Sequence, residues 1–346
     1  MEASSYLSLT LDATINRLLR KAKITENSAV VFKNFIACDG HDDNAILRIV
    51  THAHHDHIYG LRESIKKTPF IGMTEATYDI LTALGYEIPE NKTLILNYDK
   101  EIKIKDAKIS LHKARHIIGA AQVLVIDEED DRLVYTGDFK LPSTPILEAD
   151  LLVIEATYGN PNHVRPFKYE VEDLFVDLVK TCLAKGPVHI FGYHGKIQEA
   201  MEILRSRGID APFVVPRRVY KVTKAAMKHG LRVKEVFYYK SFEAEEIVKT
   251  GWYVFFAHLN TARIYGKQSV TNIVLSGWEF SEPLRQINEK TYLVALSDHA
   301  DFEQLLEYVE KSKPKIVITD ASREGSAYIL AREIKKKLSI PAIALP

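Results

Sequence analysis

Four metal-ligating side chains within six residues, set directly behind an apolar run, constrain this chain more than any other feature. His52, His54, Asp56 and His57 lie in Thr51-His52-Ala53-His54-His55-Asp56-His57, and Ala45 to Val50 ahead of them reads as a buried strand. Alternate residues of an extended segment point the same way, so His52 and His54 can grip one cation. Asp56 and His57 follow where the chain must turn, and can reach a second cation. Imidazole together with carboxylate suits zinc or a similar first-row ion. Histidines also cap helices and line surface loops, but neither use asks for four ligand-type side chains in so short a stretch. The fold must therefore bring a strand end to a metal site.

One loop cannot complete a two-metal site, and the remaining candidates also stand at the ends of apolar runs. His116 lies in Ala114-Arg115-His116-Ile117-Ile118-Gly119-Ala120, and Asp138 ends Leu133-Val134-Tyr135-Thr136-Gly137-Asp138, where Gly137 allows a sharp turn. A carboxylate at Asp138 can bridge two ions. Asp39 follows Phe35-Ile36-Ala37-Cys38 and can orient a ligating histidine from behind. Singly, a strand-end aspartate is a turn former and a lone histidine is an ordinary polar residue; together with the first motif they make a set.

Along the first 158 residues short β-type runs alternate with loops: Val30 to Ile36, Ile46 to Thr51, Ile109 to His112, Gln122 to Ile126, Leu133 to Thr136 and Leu151 to Ala156, with one helix at Glu75 to Leu84. After Asn160-Pro161 the texture changes to βα alternation, the pattern of a parallel sheet with helical crossovers. Helices are expected at Tyr169 to Leu183, Lys196 to Arg207 and Val219 to His229, and strands at Val188 to Phe191, Phe213 to Val215, Trp252 to Phe256 and Ile273 to Leu275. From Tyr292 strand and helix alternate again, with helices at Phe302 to Lys311 and Ser326 to Lys337 around a strand at Ile316 to Thr319. The expected organisation is a metal-bearing domain over 1–160, an inserted α/β domain over 161–288, and residues 289–346 completing the first.

Composition excludes several classes. No apolar run approaches the ~20 residues that span a bilayer, and Met1-Glu2-Ala3-Ser4-Ser5 does not begin a secretory signal, so no membrane role is expected. Two cysteines, Cys38 and Cys182, offer no disulfide framework, and a cytoplasmic location fits. Net charge is zero, yet Arg205 to Lys240 holds ten Lys or Arg against two acids. A local basic surface follows. Arg217, Lys221, Lys224 and Lys228 recur at i, i+4, i+7 and i+11, on one helical face with almost no acid to pair with, which fits a stripe contacting phosphates. Lys196, opening a helix after Gly195, and its neighbour His194 are further substrate-side candidates. Tyr238, Tyr239, Trp252 and Tyr253 can stack unpaired bases or fill a core.

The ordered motifs resemble the metallo-β-lactamase fold, and the later ones its β-CASP nuclease branch. Thr51 to His57 matches the superfamily signature, and Arg115-His116-Ile117-Ile118-Gly119 and Tyr135-Thr136-Gly137-Asp138-Phe139 match its third and fourth metal motifs. Glu155-Ala156-Thr157-Tyr158-Gly159 is similar to the acidic first β-CASP motif, and Ser297-Asp298-His299-Ala300-Asp301 to the second. Gly195-Lys196 with Gln198-Glu199 is similar to the Gly-basic segment of the inserted domain. The third β-CASP motif departs. RNA-processing members usually carry a histidine there and DNA-repair members an apolar residue, whereas here Asp320 follows Ile316-Val317-Ile318-Thr319.

The resemblance implies an αββα sandwich with an inserted α/β β-CASP cap, an active site in the cleft between them, and two divalent ions, zinc foremost with Mn as the alternative. His52, His54 and His116 would hold one ion, Asp56 and His57 the other, and Asp138 would bridge. Asp320 is either a further ligand or a turn aspartate. His299, oriented by Glu155, would protonate the leaving alkoxide, leaving a 5′-phosphate. The implied protein is a compact prokaryotic-type exonuclease acting on single-stranded DNA or RNA, in repair or RNA processing. It could form a homodimer or associate with other repair or processing proteins through Glu303 to Lys311 or the last helix. Two rivals remain: a hydrolase of a small ester, thioester or lactam on the same fold, and a catalytically silent nucleic-acid-binding subunit.

Overall fold

The computed structural model describes residues 13–346, so Met1 to Ser5 lies outside it. The chain divides into two compact units. The first comprises the chain up to Tyr78, Tyr86–Val164 and His299–Pro346; the second comprises Asp79–Gly85 and Arg165–Asp298.

The first unit holds two sheets. One has six strands in sequence order: Ala22–Ile24, Val30–Phe32, Ile36–Cys38, Leu47–Ile49, Phe70–Met73 and Thr93–Ile95. Its first three are antiparallel neighbours and the rest run parallel. The other sheet has seven strands, in the order Ala342–Leu345, Ile316–Asp320, Leu151–Ile154, Arg132–Tyr135, Ala121–Ile126, Ala107–Lys113 and Ile102–Ile104. Alternate residues of these strands fill one apolar core: Leu47 and Ile49 from the first sheet meet Ile109, Leu111, Val123, Val125, Leu133, Tyr135, Leu151, Val153, Ile316 and Ile318 from the second. That period of two is what packs two sheets face to face. Helices Phe302–Ser312 and Ala327–Leu338 flank the second sheet, and the fold is the αββα sandwich with an additional α/β unit.

Strand polarity places the loops of interest on common rims. Ile36–Cys38 and Leu47–Ile49 are parallel, so Asp39 and Thr51 leave the same end. Arg132–Tyr135, Leu151–Ile154 and Ile316–Asp320 are also parallel, which brings Asp138, Glu155 and Asp320 out at one end. Ala107–Lys113 reaches that end through two antiparallel pairings, carrying His116 with it.

The second unit is a seven-stranded sheet in the order Val236–Tyr238, Phe213–Val215, Val254–His258, Val188–Gly192, Thr271–Leu275, Thr291–Val294 and Leu284–Asn288. All neighbours are parallel except the last pair. One expectation is corrected here. Residues from 289 onward do not all complete the first unit, because Thr291–Val294 pairs with Thr271–Leu275 in this sheet and the passage back falls between Asp298 and His299. A half-buried four-residue strand suits either sheet, and its pairing partner is not written in its own residues.

Candidate metal centre

The motif loop carries no regular structure over Thr51 to His54, and the chain turns at His55 to His57. His57 N–H donates back to the His54 carbonyl at 3.2 Å, closing the turn. Asp39 is fully buried in a left-handed conformation with φ 57°. Its carboxylate accepts from Thr51 N at 2.7 Å, Thr51 Oγ1 at 2.5 Å and His57 Nδ1 at 2.7 Å. With its single hydroxyl proton given to Asp39, Thr51 Oγ1 can only accept at its 3.1 Å contact with His52 Nδ1. Both imidazoles are thereby held with Nδ1 protonated and Nε2 turned to the centre.

Asp138 Oδ2 is the hub. It lies 3.1 Å from His57 Nε2, 3.4 Å from His52 Nε2 and 3.5 Å from His116 Nε2. His116 Nε2 is 2.9 Å from His54 Nδ1, and Asp56 Oδ2 is 3.5 Å from His57 Nε2. Gly137 makes the approach: its φ is 52°, and a Cβ there would press on the Ala121 carbonyl at 3.1 Å and Thr51 at 3.2 Å.

These residues fit a divalent cation. His52, His54, His116 and Asp138 each offer a ligand atom, all within 4.8 Å of one another. The Nε2 atoms of His52 and His57 are buried and make no hydrogen bond, and on His52, which stays neutral, this leaves a lone pair that an ion can take. Burial, reinforced by His57, pushes His52 down to about 3, so it offers a neutral nitrogen at any ordinary pH. Burial pulls His57 the opposite way from its neighbours, but Asp138, Asp56 and Asp39 win and hold it up at about 10. Burial likewise opposes ionisation of Asp138, yet His57 and His299 keep its carboxyl well below the usual range. The site demands positive charge, which a metal supplies.

Beside the hub, Glu155 Oε1 accepts from Phe139 N at 2.8 Å while Oε2 receives His299 Nδ1 at 3.0 Å. Burial raises the Glu155 carboxyl, partly offset by His299. The His299 ring centroid is 4.8 Å from that of His116. His299 is not itself the helix cap. Asp301 caps Phe302–Ser312 by accepting from Gln304 N at 3.0 Å, with the Gln304 side chain returning the bond at 3.3 Å. Ala300 N–H to the Phe139 carbonyl, 2.6 Å, fastens the His299 loop to the Asp138 loop.

Asp320 is occupied otherwise. It accepts from Ser322 N at 2.9 Å and Ser322 Oγ at 2.6 Å, and pairs with Arg323. The half-buried Arg323 also donates to the Ser28 carbonyl at 2.9 Å and reaches the Asp39 carbonyl at 3.5 Å. The sequence reading missed Arg323 and also Arg48, which is fully buried and donates to Ser64 Oγ and to the His57 and Tyr59 carbonyls at 2.9, 3.2 and 3.0 Å. An arginine inside the apolar run Leu47-Arg48-Ile49 was the visible signal, since such a charge is buried only with partners.

In the second unit, Arg217, Lys221, Lys224 and Lys228 are all exposed on helix Arg217–Lys228, so the stripe exists. Lys228 Nζ lies 3.4 Å from Asp79. Lys196 is a correction to the phosphate-binding expectation: it is buried and ion-paired with Asp298 at 3.1 Å, its charge already matched at the helix start. Tyr253 is buried in an apolar cluster with Phe255 and Phe191, while Trp252 is half exposed. His194 packs 4.9 Å from His258. No helix among the described residues is long and apolar enough to cross a membrane.

Comparison with known proteins agrees with this geometry. A β-lactamase superfamily domain matches residues 43–216, half the chain. An uncharacterized protein in the lig 3′ region of Acidianus ambivalens is 49% identical over 39% of this chain and 99% of its own length. A probable DNA ligase of Opitutus terrae is 28% identical over 78% of this chain but 26% of its own, and a probable RNase, MJ4, of Methanocaldococcus jannaschii is 31% identical over 49% and 40%. The chain thus spans well under half of either of the latter two. A solved structure of a protein of unknown function from Enterococcus faecalis superposes with TM-score 0.60 at 14% identity, over 87% of this chain and 79% of that one, and shows the shared fold. With the motif loop, the hub aspartate and the Glu155–His299 pair in the expected order, the chain belongs to the β-lactamase superfamily, in its β-CASP branch.

Proposed function

We propose that this protein is a metal-dependent nuclease that hydrolyses phosphodiester bonds of single-stranded nucleic acid, acting as an exonuclease. The observation that carries the reading is the Glu155–His299 pair beside a complete His/Asp cluster. Hydrolysis of a small lactam or thioester needs no such second pair, and a silent subunit would not keep the full ligand set.

In this reading His52, His54 and His116 would hold one divalent ion and Asp56 and His57 a second, with Asp138 available to both. When bound, such ions would supply an activated water and charge stabilisation for an in-line displacement at phosphorus. The chain's own residues do the rest. Asp39 and Thr51 fix the tautomers of His57 and His52. Glu155 accepts the Nδ1 proton of His299, leaving Nε2 as the acid that protonates the departing 3′-oxygen and leaves a 5′-phosphate. The exposed Arg217, Lys221 and Lys224 contact backbone phosphates. Asp320 anchors Arg323 against the Asp39 loop rather than ligating.

A relative named as a probable RNase favours phosphodiester chemistry, and one named as a probable DNA ligase points to nucleic acid as the substrate class. The test is degradation of end-labelled single-stranded DNA and RNA of one sequence, with Mn²⁺ or Zn²⁺, beside Asp56→Ala and His299→Ala. Cleavage abolished by both substitutions is expected, and the polymer cut faster gives the sugar preference. A two-metal chain that cuts neither polymer would overturn the reading in favour of small-ester hydrolysis.

A further inference from the structure

Lys196 stands where physical chemistry disfavours a lysine. It is the first residue of helix Lys196–Ser206, where the helix dipole opposes a cation, and it is buried. Its partner Asp298 is buried too, and a buried ion pair is seldom more stable than an apolar pair of its size. Stability alone therefore does not account for the two charges, yet their pairing is firmly built. Gly195 N–H donates to Gln198 Oε1 at 2.7 Å and Gln198 Nε2 donates to Thr223 Oγ1 at 2.9 Å, which fixes the helix start. From that start Lys196 Nζ meets Asp298 Oδ1 at 3.1 Å.

Asp298 directly precedes His299, and a carboxylate oxygen of the one lies within 4.8 Å of a ring nitrogen of the other. His299 Nδ1 is nevertheless given to Glu155 Oε2, at 3.0 Å. Two buried carboxylates thus stand within reach of one imidazole, and its Nδ1 proton can serve only one of them. The surroundings decide which. Asp298 has a matching ammonium at 3.1 Å, whereas Glu155 takes the Phe139 N–H on Oε1 and turns Oε2 to the ring.

We propose that Lys196 is a positioning residue: by neutralising Asp298 it keeps His299 on Glu155, in the orientation that serves the departing 3′-oxygen. The inference rests on the nuclease reading above. Without the ammonium, the Asp298 charge stays buried with its counter-ion gone, and the adjacent imidazole is close enough to answer it. A ring turned to Asp298 no longer offers its acid where the phosphorus–oxygen bond breaks. Removing both charges at once removes the competitor, so the Glu155–His299 pair should stand without either.

The experiment compares the full metal-loaded chain with Lys196→Met and with Lys196→Met/Asp298→Leu. The substrates are a single-stranded 12-mer and thymidine 5′-(p-nitrophenyl phosphate), whose phenolate leaves without needing a proton. Lys196→Met should lower kcat on the 12-mer roughly 10²-fold, the lower end of what a general acid contributes, with KM little changed and a loss about tenfold smaller on the p-nitrophenyl ester. The double variant should recover most of the loss. Lys196→Gln, a neutral donor that still fills the space, replaces Lys196→Met if that chain fails to fold, and the same split is expected. Equal losses on both substrates, no recovery in the double variant, or lowered metal content would overturn the proposal and leave the nuclease reading standing. If wild type cuts neither polymer, that reading falls, and ¹⁵N NMR of the Zn²⁺-loaded proteins decides the pairing. The His299 signals should shift in Lys196→Met as they do in Glu155→Gln and return in the double variant; signals unmoved in Lys196→Met would overturn it.

Discussion

Replacing Asp39 by Asn keeps the shape of the side chain and removes one acceptor, and the consequences can be worked through atom by atom. The native carboxylate receives three donors: Thr51 N on one oxygen, Thr51 Oγ1 and His57 Nδ1 on the other. An amide has one acceptor oxygen and one NH₂ donor. With its oxygen toward His57, the NH₂ faces the Thr51 N–H, and two buried donors are left opposed, at about 1–3 kcal/mol. With its oxygen toward Thr51 N, the NH₂ faces His57 Nδ1. That ring must then accept at Nδ1 and carry its proton on Nε2, where it cannot ligate. Loss of such a partner typically costs 10–100-fold in metal affinity, about 1.4–2.7 kcal/mol. The assay is chelator competition for Zn²⁺ or Mn²⁺ on Asp39→Asn and wild type, with melts of the chelator-treated proteins alongside. Metal affinity within twofold of wild type would refute the reasoning, because it would show that His57 does not depend on Asp39 for its tautomer.

Glu155→Gln should keep its metal content but lose roughly 10²–10⁴ in kcat on single-stranded substrate, the span of a general acid left unsupported; a loss of metal instead would make Glu155 structural. Arg323→Met leaves the buried Asp320 carboxylate uncompensated and should destabilise the chain by about 3–5 kcal/mol in urea unfolding, whereas Asp320→Asn should leave metal content unchanged, which a ligand role for Asp320 would not allow. Metal-free protein should lose stability as pH rises. The folded pKa of His57 is held up at about 10 against an ordinary 6.5, so the stabilisation is full below about 6.5 and is lost toward 10. Melting temperatures across that range should fall for chelator-treated protein and stay flatter with metal bound; parallel curves would contradict the charge balance assigned to the site.

Much of the site was legible because its chemistry is local. Parallel strands deliver Asp39 and the Thr51 to His57 turn to one end and Asp138 and Glu155 to another, while His116 arrives on an antiparallel strand and His299 is held to the Asp138 loop and to Glu155. Apolar runs likewise marked the central strands, Leu151–Ile154 and Phe213–Val215 among them. Short half-buried edges such as Thr93–Ile95 and Ile102–Ile104 carry little pattern of their own. Helix Phe242–Thr250 was missed even though Ser241 caps its start and Gly251 ends it in a left-handed turn. Which sheet takes Thr291–Val294, and whether Asp320 meets Arg323 or a cation, depend on neighbours distant in sequence or on a single rotamer. Lys196 shows the same limit, since its matching charge, Asp298, lies a hundred residues away in the chain.

The most direct test of the central claim is to titrate Mn²⁺ or Zn²⁺ into chelator-stripped protein while following cleavage of an end-labelled single strand and counting bound metal. The account expects activity to rise as the second equivalent binds, and Asp138→Asn to remain inactive throughout. Full activity without metal, or none with two equivalents bound, would contradict it.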